Sequence, residues 1–256
     1  MKINFGGLMK SEFYKYRKSI TYPATYLAMI VYGMVFAAIF PLLDDDVEAG
    51  TCILNILSNS VFMNMLISML IVPFVINDFQ HKTIQHTLTL GAGRDMIINA
   101  KLLLVSATCA CAYIFAVVFG GICAVVLSSK GFVEISAGFV IQAAIAELVF
   151  IVVFVMLCML FYIIVRSSAA YVMTIFVLWL SMLGSLAGGT FKNPIVNFLL
   201  KYNMFGQNQL MICQRMGTQV YYYTASDWVK YLLVMGITGV LLYVLIRAVF
   251  NKIEVR

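Results

Sequence analysis

The sequence predicts an all-α polytopic membrane protein with six transmembrane helices, and three observations carry that expectation. Of the 256 residues, 63% are hydrophobic and only 11% are charged, whereas a water-soluble domain carries about 25% charge. The mean hydropathy is +0.98. The apolar residues fall into long runs of about 20, the length that crosses the hydrocarbon of a bilayer, and charged residues gather in the links between them. A net charge of +6 distributed in this way is a membrane-orientation signature and not a groove for nucleic-acid phosphates.

The elements follow in chain order within one transmembrane domain, 1–256. Residues 1–21 hold Phe5, Leu8, Met9, Phe13 and Tyr16 at helical spacing, with Lys10, Lys15, Arg17 and Lys18 among them. This pattern predicts a basic amphipathic helix lying at the membrane interface. It lacks the compact apolar core of a cleavable leader, so the first span is expected to act as the insertion signal. That span runs from about Tyr22 to Leu43 and ends at Asp44-Asp45-Asp46. The second runs from Cys52 to Ile76, the third from Leu102 to Ser128, the fourth from Phe139 to Val165, the fifth from Ala169 to Leu186 and the sixth from Trp228 to Phe250.

Orientation is read from Lys and Arg. With the N-terminus inside, only Lys130, Lys192, Lys201, Arg215 and Lys230 of the 17 basic residues fall outside, while the acids Asp44, Asp45, Asp46 and Glu48 also fall outside. Both termini are therefore expected in the cytoplasm of a multi-pass cell-membrane protein. Tyr22 and Tyr26, and Tyr221 to Tyr223 with Trp228 and Tyr231, suit headgroup level at the ends of the first and sixth spans.

Two links are too long for tight connections. Residues 77–100 are too polar to span. They predict a short helix with Asp78 near its positive end, then a break at Gly91-Ala92-Gly93 and a new helix from Arg94 that enters the membrane near Lys101. Residues 189–228 are more apolar than an ordinary loop, and two readings stand: short helices dipping back into the outer leaflet, which is preferred, or a folded surface loop.

Glu147 is the only formal charge well inside a span. A central acid costs about 2.5–3.5 kcal/mol on insertion scales, so it must face protein or water. With Gln142 nearby in sequence, it is a candidate for the transport pathway or a permease–permease interface; a hydrogen-bonded or protonated packing role is the equal alternative. His81 and His86 are five apart and lack the further ligands a metal site needs. Cys109 and Cys111 point to different helix faces, and Cys52 and Cys213 could pair outside, although two free thiols are the favoured reading.

The run Asp78…Lys82-Thr83-Ile84…Leu88…Arg94…Lys101 resembles the loop between helices two and three in the six-helix permeases of type-2 ABC exporters. Lys10 to Lys18, including Glu12 and Lys15, resembles their opening interfacial helix. Lys82 stands where that family usually has Gly, and Gly91-Ala92-Gly93 replaces a Pro- or Ser-containing turn. The resemblance implies a permease subunit that pairs with a second permease, a copy or a paralogue, and with two ABC ATPase subunits docked at the 77–100 loop. It implies no cofactor on this chain, and export of a hydrophobic or amphipathic substrate such as an antimicrobial peptide, as in lantibiotic-type export or immunity. The chain has no G-x-x-x-x-G-K-[ST] phosphate loop, so ATP hydrolysis is expected on the partner, and this chain is not expected to be an enzyme. A secondary transporter or channel without an ATPase is the alternative. An intramembrane enzyme fits least, because both histidines lie in one link and no paired nucleophile and base occur within spans.

Overall fold

The computed structural model describes residues 4–43, 46–80, 83–132, 135–187, 198, 202–213 and 224–252. Among them there is no β-strand, only an isolated bridge between Glu48 and Lys130. The helices are α1 (Phe5–Lys18), α2 (Thr21–Leu43), α3 (Ala49–Ser58), α4 (Ser60–Gln80), α5 (Thr83–Thr89), α6 (Arg94–Leu127), α7 (Ala137–Val165), α8 (Ala169–Ala187), α9 (Met204–Cys213) and α10 (Ala225–Lys252).

Four of these, α2, α6, α7 and α10, are long and apolar enough to cross a membrane, and the bent pair α3–α4 makes five when taken as one span. The six expected spans differ from this at two places. The second is not one straight helix: it breaks at Asn59, and the two halves meet at 55°. The polar run Ser58-Asn59-Ser60 supplies the cause, since these side chains compete with the helical ladder. Ser58 Oγ and Asn59 Nδ2 both donate to the Asn55 carbonyl. The Tyr32 hydroxyl on α2 lies 2.8 Å from the Ile56 carbonyl and 2.9 Å from that of Asn59, so carbonyls released by the break find a donor inside protein, as membrane depth requires. The second difference is α8, the expected fifth span, which is shorter than the others.

Local chemistry sets the helix ends. Asn4 caps α1 by accepting from the Gly7 N–H at 3.1 Å, and Lys15, Arg17 and Lys18 sit at its negative C-terminal end. Ser136 caps α7, which ends on Arg166 in the left-handed region (φ 53°). Thr224 and Asp227 form a reciprocal capping box at the start of α10. The Gly91 turn, φ 89°, separates α5 from α6, as the sequence expects.

The bundle is built around α7. In its most apolar stretch 56% of residues are buried against protein, compared with 17% in α10, so α7 is the pillar and α10 a peripheral helix. The tightest crossing joins α2 to α6. A Cβ on Gly33 would sit 2.1 Å from the Ala116 carbonyl oxygen, and one on Gly120 would sit 2.7 Å from the Gly33 carbonyl oxygen. Ala112, Ala116, Gly120 and Ala124 repeat every four residues on the α6 side, and all are buried, a small-residue seam of the kind that lets membrane helices approach closely.

The helix ends gather in two groups. At one end Arg247 grips Asp95 through two bonds of 2.9 and 2.7 Å, Arg94 donates to the Asn251 carbonyl and Tyr243 to Asn99. The end of α10 therefore lies beside the start of α6. At the other end the Lys130 carbonyl accepts from the Ala49 N–H, and Lys130 pairs with Asp46 at 2.6 Å, which ties the link after α2 to the link after α6.

Candidate functional sites

Two buried polar clusters stand out, and α4 contributes to both. The first joins α1, α4 and α6. Lys101 is 4% exposed and donates to Glu12 Oε2 at 2.9 Å and to Asp78 Oδ2. Lys15 donates to Glu12 Oε1 at 2.6 Å and lies 3.4 Å from Asp78 Oδ1. Two acids thus meet two ammonium groups, and the formal charge of the group is zero. Glu12 is central to the buried face of α1, flanked one turn away on each side by Leu8 and Tyr16. Tyr16 packs edge-on against Tyr22 with centroids 4.4 Å apart, and burial pushes its phenol well above the usual value.

Asp78 lies in the last turn of α4 and not at the positive start of a short helix as the sequence suggested. A carboxylate is disfavoured at a helix C-terminus, and the two ammonium groups offset that. Four of the residues singled out for coupling, Glu12, Lys15, Asp78 and Lys101, therefore meet one another. Ile84 is buried on α5, while Leu88 is partly buried against the core. Thr83 opens α5 and is half-buried. Arg94 joins the separate contact to α10. Lys82 and His81 lie outside the described residues.

The second cluster lies about 14 residues, or roughly 21 Å, further up α4. Glu147 on α7 is fully buried. Its Oε1 accepts from Asn64 Nδ2 of α4 at 3.3 Å and its Oε2 from Asn208 Nδ2 of α9 at 2.6 Å. No cation lies within ion-pair distance of it among the described residues. Tyr231 of α10 donates to the Ala146 carbonyl at 2.5 Å and lies 3.5 Å from Asn208 Oδ1. Asn64 is 1% exposed, and its Oδ1 has no hydrogen-bond partner among the described residues. Helix α9 seats an inward face here: Met204, Gln207, Asn208 and Met211 are buried, and the Phe205 ring packs edge-on against Phe150 and Phe154 at 5.6 and 6.5 Å.

Glu147 is therefore enclosed by its own chain's α4, α7 and α9. Gln142 is exposed and is not among its partners. Asn64 and Asn208 are the residues that sequence reasoning missed. An isolated amide in an apolar run is a usable signal, because it too requires a partner in hydrocarbon. Of the cysteines, Cys52 is a buried free thiol, Cys109 is buried and Cys111 exposed; the Cys213 side chain lies outside the described residues. Among the described residues no three His, Cys, Asp or Glu side chains are placed to hold a metal ion.

A scan against models of known protein families gives no match to this chain, and a search of curated proteins gives no significant match.

Proposed function

We propose that this chain is the membrane-spanning permease subunit of an ATP-driven exporter of the type-2 ABC class. It crosses the membrane six times, with the α3–α4 pair and α8 completing the set, and both termini are cytoplasmic. It works with a second permease and with two ATPase subunits that supply the motor. Its substrate is hydrophobic or amphipathic, an antimicrobial peptide being the leading class.

The observation that carries this reading is the ion cluster at one end of the bundle. Glu12, Asp78 and Lys101 fasten the interfacial helix and the ends of two long helices into one unit, and the short helix α5 lies in the link between those two long helices. A push delivered to that unit by an external motor reaches α4 and α6 together. The Asp95–Arg247 contact places the end of the last helix at the same end of the bundle, which supports an even number of crossings. The basic residues of the links favour placing that end inside.

The test is purification of the tagged chain from its native membranes in mild detergent, followed by nucleotide-dependent transport assays in inverted vesicles. Co-purification of an ATPase, with uptake that stops on removal of ATP, is the expected result. A chain that transports without any ATPase refutes it, and uptake that follows a proton gradient alone selects the secondary-transporter reading.

A further inference from the structure

The helix α1 sorts its charges into two sets, and only one is used inside the protein. Its single acid, Glu12, faces the bundle and takes Lys15 with it. At about 100° per residue, Phe13, Arg17, Lys10, Tyr14 and Lys18 share an arc of roughly 140° centred opposite the buried face of Leu8, Glu12 and Tyr16. All five are exposed, Phe13 by 50% and Tyr14 by 63%. Lys10, Arg17 and Lys18 have no ion-pair partner among the described residues. The nearest contact is the Lys18 ammonium 5.7 Å from the Tyr14 ring. The outward arc thus carries three cations, two aromatic rings and no acid.

Depth decides what this arc meets. Only Ser19 and Ile20 separate α1 from α2, and they form a tight turn in which the Ser19 N–H donates to the Tyr16 carbonyl. The three peptide steps from Lys18 to Thr21 reach at most about 11 Å, so Lys18, with Arg17 one residue before it, sits within headgroup distance of the point where α2 enters hydrocarbon. Rings and cations interleaved at that level suit an anionic lipid surface: the rings lodge at the acyl boundary and the cations meet phosphate oxygens.

We propose that the Lys10–Phe13–Tyr14–Arg17–Lys18 face of α1 is a binding surface for anionic phospholipid headgroups. This inference stands whether or not an ATPase partner exists, because it requires only that α2 enters the membrane.

The full chain is extracted from bilayers of equal phosphatidylglycerol and phosphatidylcholine, washed in mild detergent, and its retained lipids are counted by mass spectrometry. Wild type is expected to keep phosphatidylglycerol in preference. The K10Q/R17Q/K18Q variant is expected to lose that preference at least fivefold, about the attraction of one cation to an anionic surface. High salt should weaken the preference of wild type in the same direction, an arm that needs no variant to fold. Equal retention of both lipids by wild type overturns the proposal, as does an unchanged preference in the variant. A variant that keeps its lipids but loses a bound cytoplasmic protein also overturns it, and assigns the face to that protein instead.

Discussion

The two buried clusters on α4 solve the same problem in different ways. At the α1 end, two carboxylates and two ammonium groups neutralise each other, so each charge taken from water has a partner. About 21 Å further along α4, Glu147 has no cation within ion-pair distance among the described residues and is held by two neutral amides. The first arrangement is rigid, because loss of any buried member exposes the others to an uncompensated charge. The second joins three helices through single hydrogen bonds, one of them from α9. The contrast teaches that strength and adaptability are separated along one helix, with the strong junction beside α1 and the lighter one beside α9.

That contrast can be broken from either side. The largest effect is expected from Lys101→Met, which leaves Glu12 and Asp78 facing each other with only the half-exposed Lys15. Such a loss costs about 3–5 kcal/mol and should appear as a large drop in thermal stability in detergent. The charge-balanced combination D78N/K101M, which leaves the Glu12–Lys15 pair in place, should recover most of it, and failure of that rescue would show that packing, not charge, dominates. Asn208→Leu comes next. It removes one donor from Glu147 and should cost about 1–2 kcal/mol, read as faster amide exchange confined to 204–213. Uniform exchange across the chain would contradict the light-junction view. Glu147→Gln keeps an oxygen acceptor in place and should cost less than about 1.5 kcal/mol; a loss as large as that of Lys101→Met would erase the distinction between the clusters. The smallest effect belongs to Lys15→Gln, since that ammonium is 38% exposed and a pair so accessible is worth about 0–1 kcal/mol. Its residual contribution should vanish in high salt.

The two clusters were also unequally legible. Glu12, Lys15, Asp78 and Lys101 are noticeable because charges are scarce in this chain and theirs fall at the ends of apolar runs. Their meeting is not legible, since Glu12 and Lys101 are 89 residues apart and periodicity carries no information on which helices pack together. Glu147 stands out as an acid inside a span, but its partners are amides 83 and 61 residues distant. The start of α6 at Arg94 and the Gly91 break follow from composition and turn chemistry. The break at Asn59 was present as Ser58-Asn59-Ser60 but is outweighed by the apolar residues on both sides, which alone satisfy the length rule for one continuous span. The Thr224–Asp227 capping box is a four-residue signal that marks the start of α10 three residues before the apolar pattern does. Most of the 189–228 segment lies outside the described residues, and α9 is the part that shows how it meets the bundle.

The 55° break at Asn59 sets a scale for movement. Helix α3 has 10 residues and is about 15 Å long, so straightening it onto the axis of α4 would carry its far tip through about 14 Å. That tip is fastened, with the Ala49 N–H bonded to the Lys130 carbonyl. The swing is therefore blocked at its pivot by the hydroxyl of Tyr32 and at its extremity by the link after α6. The phenol oxygen at the fulcrum and the carbonyl at the tip together hold an arc about five times the length of the Tyr32 hydrogen bonds.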